Sequence, residues 1–469
     1  MKKMTMAVIV GNRGFFPDSL VKQGRSAILD ILNGAGYNTV ALDENDTKYG
    51  AVETLADARK CADLFSRHSR EIDGIIVTLP NFGDEKGVLE AVKLSGLDVP
   101  ILIQAEPDEF GKMSISHRRD SFCGKVSVCN NLNQAGIAYT LTKSHTMSVN
   151  SDEFKQELAD FASVCRIVGG LRNVRFGAIG ARPGAFNTVR YSEKLLELSG
   201  ISVETIDLSE ILGQAQRLTD SESVVKEKLA DIQNYTSTDG VPKDALLRLA
   251  KFGAVVDRWV EELELDGTAI QCWTSIQENY GICSCVQMSM MGELLAKPSA
   301  CEVDITGLLG MYIMQLASGS PSALLDWNNN YRNEPDKCVC FHCSNLPRSF
   351  FKEMKMDYQE IIAGSVGREN TYGTVVGRIK PSPATFCRLT TSDSEGVITG
   401  YVGEGKFTDD ELDTFGGYGV MEIPDLQVLM QFICRMGFEH HVAVNLSEKS
   451  FAVSEALENY LGWEIYHHV

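Results

Sequence analysis

The 469-residue chain is too long for one ordinary core, so two or three domains are expected. Its 44 Lys and Arg stand against 63 Asp and Glu, a formal net charge of −19, which offers no basic footprint for nucleic-acid phosphates. No stretch approaches the length of a membrane span, and the composition is that of an ordered globular protein.

The apolar run MAVIVG (6–11) stops at Gly11, Asn12, Arg13 and Gly14, too soon for a signal sequence, and reads as a first buried strand. Further runs follow at 38–42, 74–80 and 99–104, with helical patterns at 18–36, 52–68 and 84–95 between them. Strands that are apolar throughout and alternate with helices predict a parallel sheet covered on both faces. A long helix is expected over 151–171. The pattern then restarts: strands at 173–180, 201–206 and 267–273, with helices at 186–199, 221–233, 243–264 and 279–295. After residue 300 the texture changes. A helix at 305–317 precedes short β-rich pieces at 338–343, 374–379, 385–390 and 396–405, whose spacing predicts a small barrel or sandwich. A last α/β piece is expected from 426 onward. The fold class is thus α/β, with two doubly wound parallel-sheet domains (1–168 and 169–300) and a β-rich, barrel-like C-terminal domain (301–469). The thirteen scattered cysteines, with no export signal expected, read as reduced thiols in a cytoplasmic protein.

Several side chains could carry chemistry. Glu278, after the strand 267–273, sits where a ligand-binding strand end is expected, or where an acidic residue simply suits a helix dipole. Asp304 lies at the end of the short strand in ACEVDITG and could be a ligand or an N-cap; Glu302 is expected on the solvent side by strand alternation. His342 lies inside CVCFHC, and His440 and His441 in GFEHHVAVN. Cys338, Cys340, His342 and Cys343 lack the paired C-x2-C spacing of a structural zinc site. Two carboxylates and two histidines together would suit Mn²⁺, with Mg²⁺ or Co²⁺ as substitutes. The glycines of GAIGARPGAFNTVRYSEK (177–194) read as a tight turn shaping a cleft rather than a dinucleotide cradle. The loop 116–137 reads either as an ordered surface loop or as a subunit contact.

The segments QENYGICSCVQM, CEVDITG, DWNNNY, FHCSNLP and EHHVAVN resemble, in this order, those of the L-fucose/L-arabinose isomerase superfamily. RRDSFCGK and RPGAFNTVRYSEK are similar to segments of shorter, fucose isomerase-like relatives. The resemblance implies an intramolecular oxidoreductase that interconverts a free aldose and its ketose with a divalent metal. It implies Glu278 and Asp304 as metal ligands with acid–base duty, His441 as a further ligand and His342 as a ligand or supporting donor. Asp326, Trp327, Asn328, His440 and Arg182 are the expected substrate contacts. A homo-oligomer, hexamer or trimer, with active sites near subunit interfaces is implied, with neither nucleic acid nor membrane as partner. The competing readings are a non-catalytic sugar-binding or regulatory protein and an NAD-dependent dehydrogenase. The second would need a ribose contact, for which Glu204 and Asp207 are the nearest residues.

Overall fold

A computed structural model describes residues 3–469. The chain separates into two compact units, Met1–Gly169 with Glu455–Gly462, and Gly170–Ser454 with Trp463–Val469.

The first unit carries a five-stranded sheet of β1 (Thr5–Val10), β2 (Asn38–Ala41), β3 (Ile72–Leu79), β4 (Ile101–Ala105) and β5 (Thr140–Leu141), in the order β2-β1-β3-β4-β5. Every pairing is parallel. The apolar character of β1 follows from burial on both faces. Ala7 and Ile9 join one core with Phe65 and Val77, while Met6, Val8 and Val10 join another with Phe154 and Phe161. The helices between strands start and stop on local signals. Thr54 and Asp57 form a capping box before Leu55–Arg67, Asp84 caps Glu85–Ser95, and left-handed Gly96 (φ 66°) ends it. The sequence places 455–462 in a C-terminal domain, but the chain hands it back to this unit. The Tyr460 hydroxyl bonds to both the amide and the carbonyl of Ile101 and to Thr140 Oγ1.

The second unit holds two sheets. A parallel sheet of β6 (Val174–Ile179), β7 (Ile201–Ile206), β8 (Gly267–Ile270) and β9 (Ser299–Cys301) runs in the order β7-β6-β8-β9. The larger sheet has nine strands: β10 (Ser322–Asn330), β11 (Lys337–His342), β12 (Lys355–Tyr358), β13 (Tyr372–Arg378), β14 (Ser382–Ser392), β15 (Val397–Phe407), β16 (Gly417–Glu422), β17 (His441–Asn445) and β18 (Glu464–His468). Their order is β12-β13-β16-β11-β10-β17-β14-β15-β18, and an extra pairing of β15 with β16 closes six antiparallel strands into a barrel. Alternate residues Ala323 and Leu325, Cys338 and Cys340, Ala384 and Phe386, and Val442 and Val444 share its apolar core. On β17 the intervening residues His441 and Ala443 take the other face. There the helix Ile305–Ser318 packs so closely that a Cβ on Gly310 would stand 3.1 Å from the Ala443 methyl.

Two helices depart from expectation. The predicted helix 279–295 is two pieces, Ser275–Tyr280 and Cys285–Leu294, because left-handed Gly281 (φ 75°) ends the first. The predicted helix 186–199 shrinks to Glu193–Leu198, and an unpredicted helix, Leu208–Arg217, starts on an Asp207 cap. Among the described residues no helix is long and apolar enough to cross a membrane.

Tyr460→Phe should strand the Thr140 and Ile101 groups it serves and cost about 1–3 kcal/mol. Urea unfolding would show this as a lowered midpoint; a variant that unfolds with the parent would detach 455–462 from the stability of the first unit.

Candidate active site

The site starts from a backbone irregularity. After β9 the chain passes through Glu302 (φ 54°) and Val303 (φ 58°) before entering the helix Ile305–Ser318. Two successive non-glycine residues in the left-handed region cost on the order of 1–3 kcal/mol each, and a β-branched valine is among the least suited to it. The kink turns Glu302 inward, leaving it 4% exposed. Its Oε1 accepts from Trp273 Nε1 at 2.8 Å. Its Oε2 is buried without a hydrogen-bond partner, 3.7 Å from His441 Nε2 and 4.0 Å from His342 Nε2.

His441 opens β17, in register with Asp326 of β10, so the two side chains lie abreast. His441 Nδ1 stands 2.8 Å from Asp304 Oδ2, a carboxylate partner that holds a proton on Nδ1 and turns Nε2 toward Glu302. Asp326 Oδ1, also unpartnered, is 3.5 Å from His441 Nε2 and 3.7 Å from His440 Nε2. Two overlapping donor groups result: Glu302, His342 and His441, and Asp326, His440 and His441.

Asp304 is held by more than His441. Its carboxylate takes two hydrogen bonds from the fully buried Arg388, at 2.6 and 3.1 Å, and caps the helix through the Gly307 amide at 2.8 Å. Arg388 Nε donates in turn to Glu439 at 3.0 Å. Burial alone would raise Asp304, but the Arg388 charge and the His441 bond outweigh it and hold the carboxyl far below its usual range. Glu302 goes the other way: burial, only partly offset by His441 and His342, pushes it up. Burial would lower His441, yet the bond to Asp304 leaves it raised. His440, 43% exposed at its side chain, is lowered by burial and by His441 beside it.

Aromatic rings wall the group. Phe186, from the glycine-rich loop, meets Trp273 edge-on at 5.4 Å and His440 at 5.5 Å. Trp327 donates Nε1 to Tyr401 at 2.8 Å and packs edge-on against Phe386. The same loop borders a cleft of about 770 Å³ whose lining includes Arg182, Asn187, Arg190, Tyr191, Val303 and Thr391.

The donors suit a cation. At metal–ligand distances of about 2.0–2.2 Å, neighbouring donors lie roughly 3.0–3.5 Å apart and opposite ones about 4.2 Å. The observed 3.5–4.0 Å separations need only small contractions, and two orphaned buried carboxylate oxygens supply the negative charge.

Residues 7–172 match the family model for the fucose/sulfoquinovose isomerase N-terminal domain, and 340–468 that for the L-fucose isomerase C-terminal domain. The chain is a fucose isomerase-like protein. It is similar to the sulfoquinovose isomerase of Priestia megaterium, at 21% identity over 348 residues and 73% of each chain. It is also similar to that of Alkalicoccus urumqiensis, at 24% over 60% of this chain and 61% of the other. A third sulfoquinovose isomerase, of Clostridium sp. (strain MSTE9), is 30% identical over 32% of this chain and 34% of its own. By this kinship the protein is an enzyme of the aldose–ketose isomerase type.

Of the residues singled out from sequence, His342, His441, His440 and Asp326 come together. Asp304 adjoins them, but its oxygens are engaged by Arg388, Gly307 and His441, so it positions His441. Glu278 lies exposed in the first turn of Ser275–Tyr280, outside both donor groups. Trp327 is half-buried, and Asn328 is exposed where the β10–β11 register shifts. Arg182 lines the neighbouring cleft, its guanidinium bonded to Asn187 and to the Pro183 carbonyl. Asp207, the acidic residue a dehydrogenase would need for ribose, is instead spent as a helix cap.

Arg388, Phe186 and Trp273 are not among the sequence candidates, and Glu302 is there only as the carboxylate competing with Asp304. Glu302 was expected to face solvent; the structure buries it because strand alternation stops at Cys301. Arg388 carries a signal only in hindsight, as a lone charge within the apolar run TFCRLT.

Asp304→Asn should leave Arg388 under-compensated and cost about 3–5 kcal/mol, with a further 10–100-fold loss of metal affinity through His441. Urea unfolding and calorimetric metal titration would separate the two effects. The pH dependence has a definite sign. Stability from Asp304, whose folded value is depressed, is complete above its unfolded value of about 3.9 and is lost as pH falls. His441, raised, contributes oppositely, its share present at low pH and lost as pH rises through its folded value. Asp304→Asn should therefore flatten the loss of stability between about pH 5 and pH 2; an unchanged acid limb would remove this carboxylate from the account.

Proposed function

We propose that the protein is a divalent-metal-dependent isomerase that converts a free aldose to its ketose through an enediolate, with a sugar bearing an anionic group as its substrate. The observation that carries the reading is the unpartnered Oε2 of Glu302 aimed at two imidazole nitrogens in a buried, aromatic-walled site.

Glu302 and His441 would hold the ion, Mn²⁺ or else Mg²⁺ or Co²⁺, with Asp326 alongside and His342 as a further ligand or supporting donor. When bound, it supplies Lewis-acid polarisation at the sugar's adjacent oxygens. The protein's own groups do the rest. Glu302, its carboxyl raised by burial, is the first candidate to take and return a proton. Glu278, exposed and, among the described residues, without an ion pair, is the second acid–base candidate. His440 and Asp326 face the open side, where a proton can pass between the two sugar oxygens. Phe186, Trp273 and Trp327 offer apolar faces to the sugar ring and exclude water. Arg190 and Arg182, in the cleft that reaches Val303, supply positive charge for an anionic substituent. Relatives named for sulfoquinovose support a sulfonated hexose as the first sugar to try.

The protein is read as cytoplasmic, in keeping with thirteen unpaired cysteines, and as a closed homo-oligomer. Phe110, Met113 and Ile115 are exposed together, which supports the segment around the loop 116–130 as a subunit contact.

An isomerase assay with an aldose panel including sulfoquinovose, with and without Mn²⁺, tests the reading. Activity should vanish on chelation, and Glu302→Gln should lose bound metal and turnover together. In D₂O, deuterium should enter the carbon that gains hydrogen; complete retention of substrate hydrogen across pH would favour hydride transfer and leave Glu302 and Glu278 without acid–base duty. Phe110→Glu should shift the sedimentation profile toward smaller species; a fully active parent monomer would abolish the role given to this segment.

A further inference from the structure

The Nδ1 side of His342 faces sulfur. Cys272 follows β8, Cys301 ends β9, Cys343 follows β11, and Cys285 opens the helix Cys285–Leu294. All four are buried. Cys301 Sγ lies within 4.8 Å of both Cys343 Sγ and Cys272 Sγ. His342 Nδ1 lies 3.4 Å from Cys343 Sγ. Ligand atoms of Cys301, His342 and Cys343 all fall within 4.8 Å of one another.

We propose that Cys301, Cys343 and Nδ1 of His342 form a second, thiolate-rich cation site, selective for a soft or borderline ion such as Zn²⁺. Three arguments carry it. The first is distance. A tetrahedral ion with Zn–S of about 2.3 Å and Zn–N of about 2.1 Å places sulfurs roughly 3.8 Å apart and sulfur about 3.6 Å from nitrogen. His342 Nδ1 and Cys343 Sγ already stand 3.4 Å apart, and Cys301 Sγ lies within 4.8 Å of Cys343 Sγ, on the ends of strands from both sheets.

The second is charge. Two thiolates, a neutral imidazole and a dication sum to zero, the condition under which charges can stay buried without large cost. The third is chemical class. Sulfur donors select zinc or cuprous copper over Mn²⁺ or Mg²⁺, while the carboxylate–imidazole group at Glu302 leans the other way. Packing explains a small apolar side chain at each position, but not two thiols clustered with an imidazole nitrogen.

The consequence falls on His342. With Nδ1 committed to the soft ion, Nε2 carries the proton and faces Glu302 Oε2, 4.0 Å away. The hard cation then rests on Glu302, His441 and Asp326. The soft site stands independently of the sugar chemistry.

The test uses the full chain, stripped with a chelator and titrated with Co²⁺. A tetrahedral thiolate site gives strong sulfur-to-cobalt charge-transfer absorption in the near ultraviolet, which oxygen and nitrogen donors alone do not. The band is expected in the parent protein and should persist in Glu302→Gln. It should weaken by one thiolate's share in Cys343→Ser. Zinc should displace the cobalt and remain bound through dialysis against excess Mn²⁺. Absence of the band in the parent overturns the site, whether or not cobalt binds at the Glu302 group. That measurement needs no variant, so a misfolded Cys343→Ser would not shield the proposal. Loss of isomerase activity with the band intact would count against the proposed function alone.

Discussion

The carboxylate of Asp304 joins three things that would otherwise be separate. It caps the helix Ile305–Ser318, neutralises the buried Arg388 and holds the Nδ1 proton of His441. Each bond depends on the others. Arg388 tolerates full burial only with Asp304 and Glu439 on either side. His441 turns Nε2 toward Glu302 because Nδ1 is held by Asp304. The helix end that supplies Asp304 is seated by the close approach of Gly310 to Ala443, two residues along the strand that starts at His441. Stability and site geometry therefore share one group, and the donor set cannot loosen without uncovering a buried charge.

The barrel explains why those side chains meet at all. Closure through β15 and β16 fixes the register of its strands, and the β10–β17 register sets Asp326 beside His441. One face of β17 is committed to the barrel interior through Val442 and Val444, so His441 and Ala443 must face the helix. The parallel sheet contributes from the other direction. Its β9 ends at Cys301, and the two left-handed residues that follow swing Glu302 toward the same nitrogens. The strain at Glu302 and Val303 is offset by the surrounding packing and buys an inward carboxylate at a position where a relaxed turn would leave it in water.

Much of this was legible in sequence, and the failures have physical causes. Wholly apolar strands alternating with helices announce parallel sheets because both faces are covered, and β1 divides its residues between two cores as that reasoning requires. The histidines stood out because they interrupt apolar runs. Glu302 was misread because alternation assumes the strand continues, and it does not. Arg388 was silent because its partners Asp304 and Glu439 lie 84 and 51 residues away, and one arginine in a strand looks the same whether it is buried or reaches to solvent. Phe186 belongs to a loop whose glycines drew attention to the backbone and away from the ring that closes the site.

The two site histidines differ in what stands behind them, and that difference orders their roles. His441 is backed by an ionised carboxylate that is itself locked by Arg388, so its ring cannot turn and its Nε2 is made more basic. His342 is backed by the sulfur of Cys343, a softer and more mobile partner that can either accept its proton or share a cation with it. Burial alone would lower His342, but the charge and hydrogen bond of Cys343 lift it to about 10. Without a cation to displace that proton, His342 bonds to Cys343 and is a ligand to neither side. A rigid anchor at His441 beside an adjustable imidazole at His342 lets one pocket keep its geometry while the charge passing through it changes. That is the demand that the proposed proton-transferring, metal-dependent isomerisation would place on these two side chains.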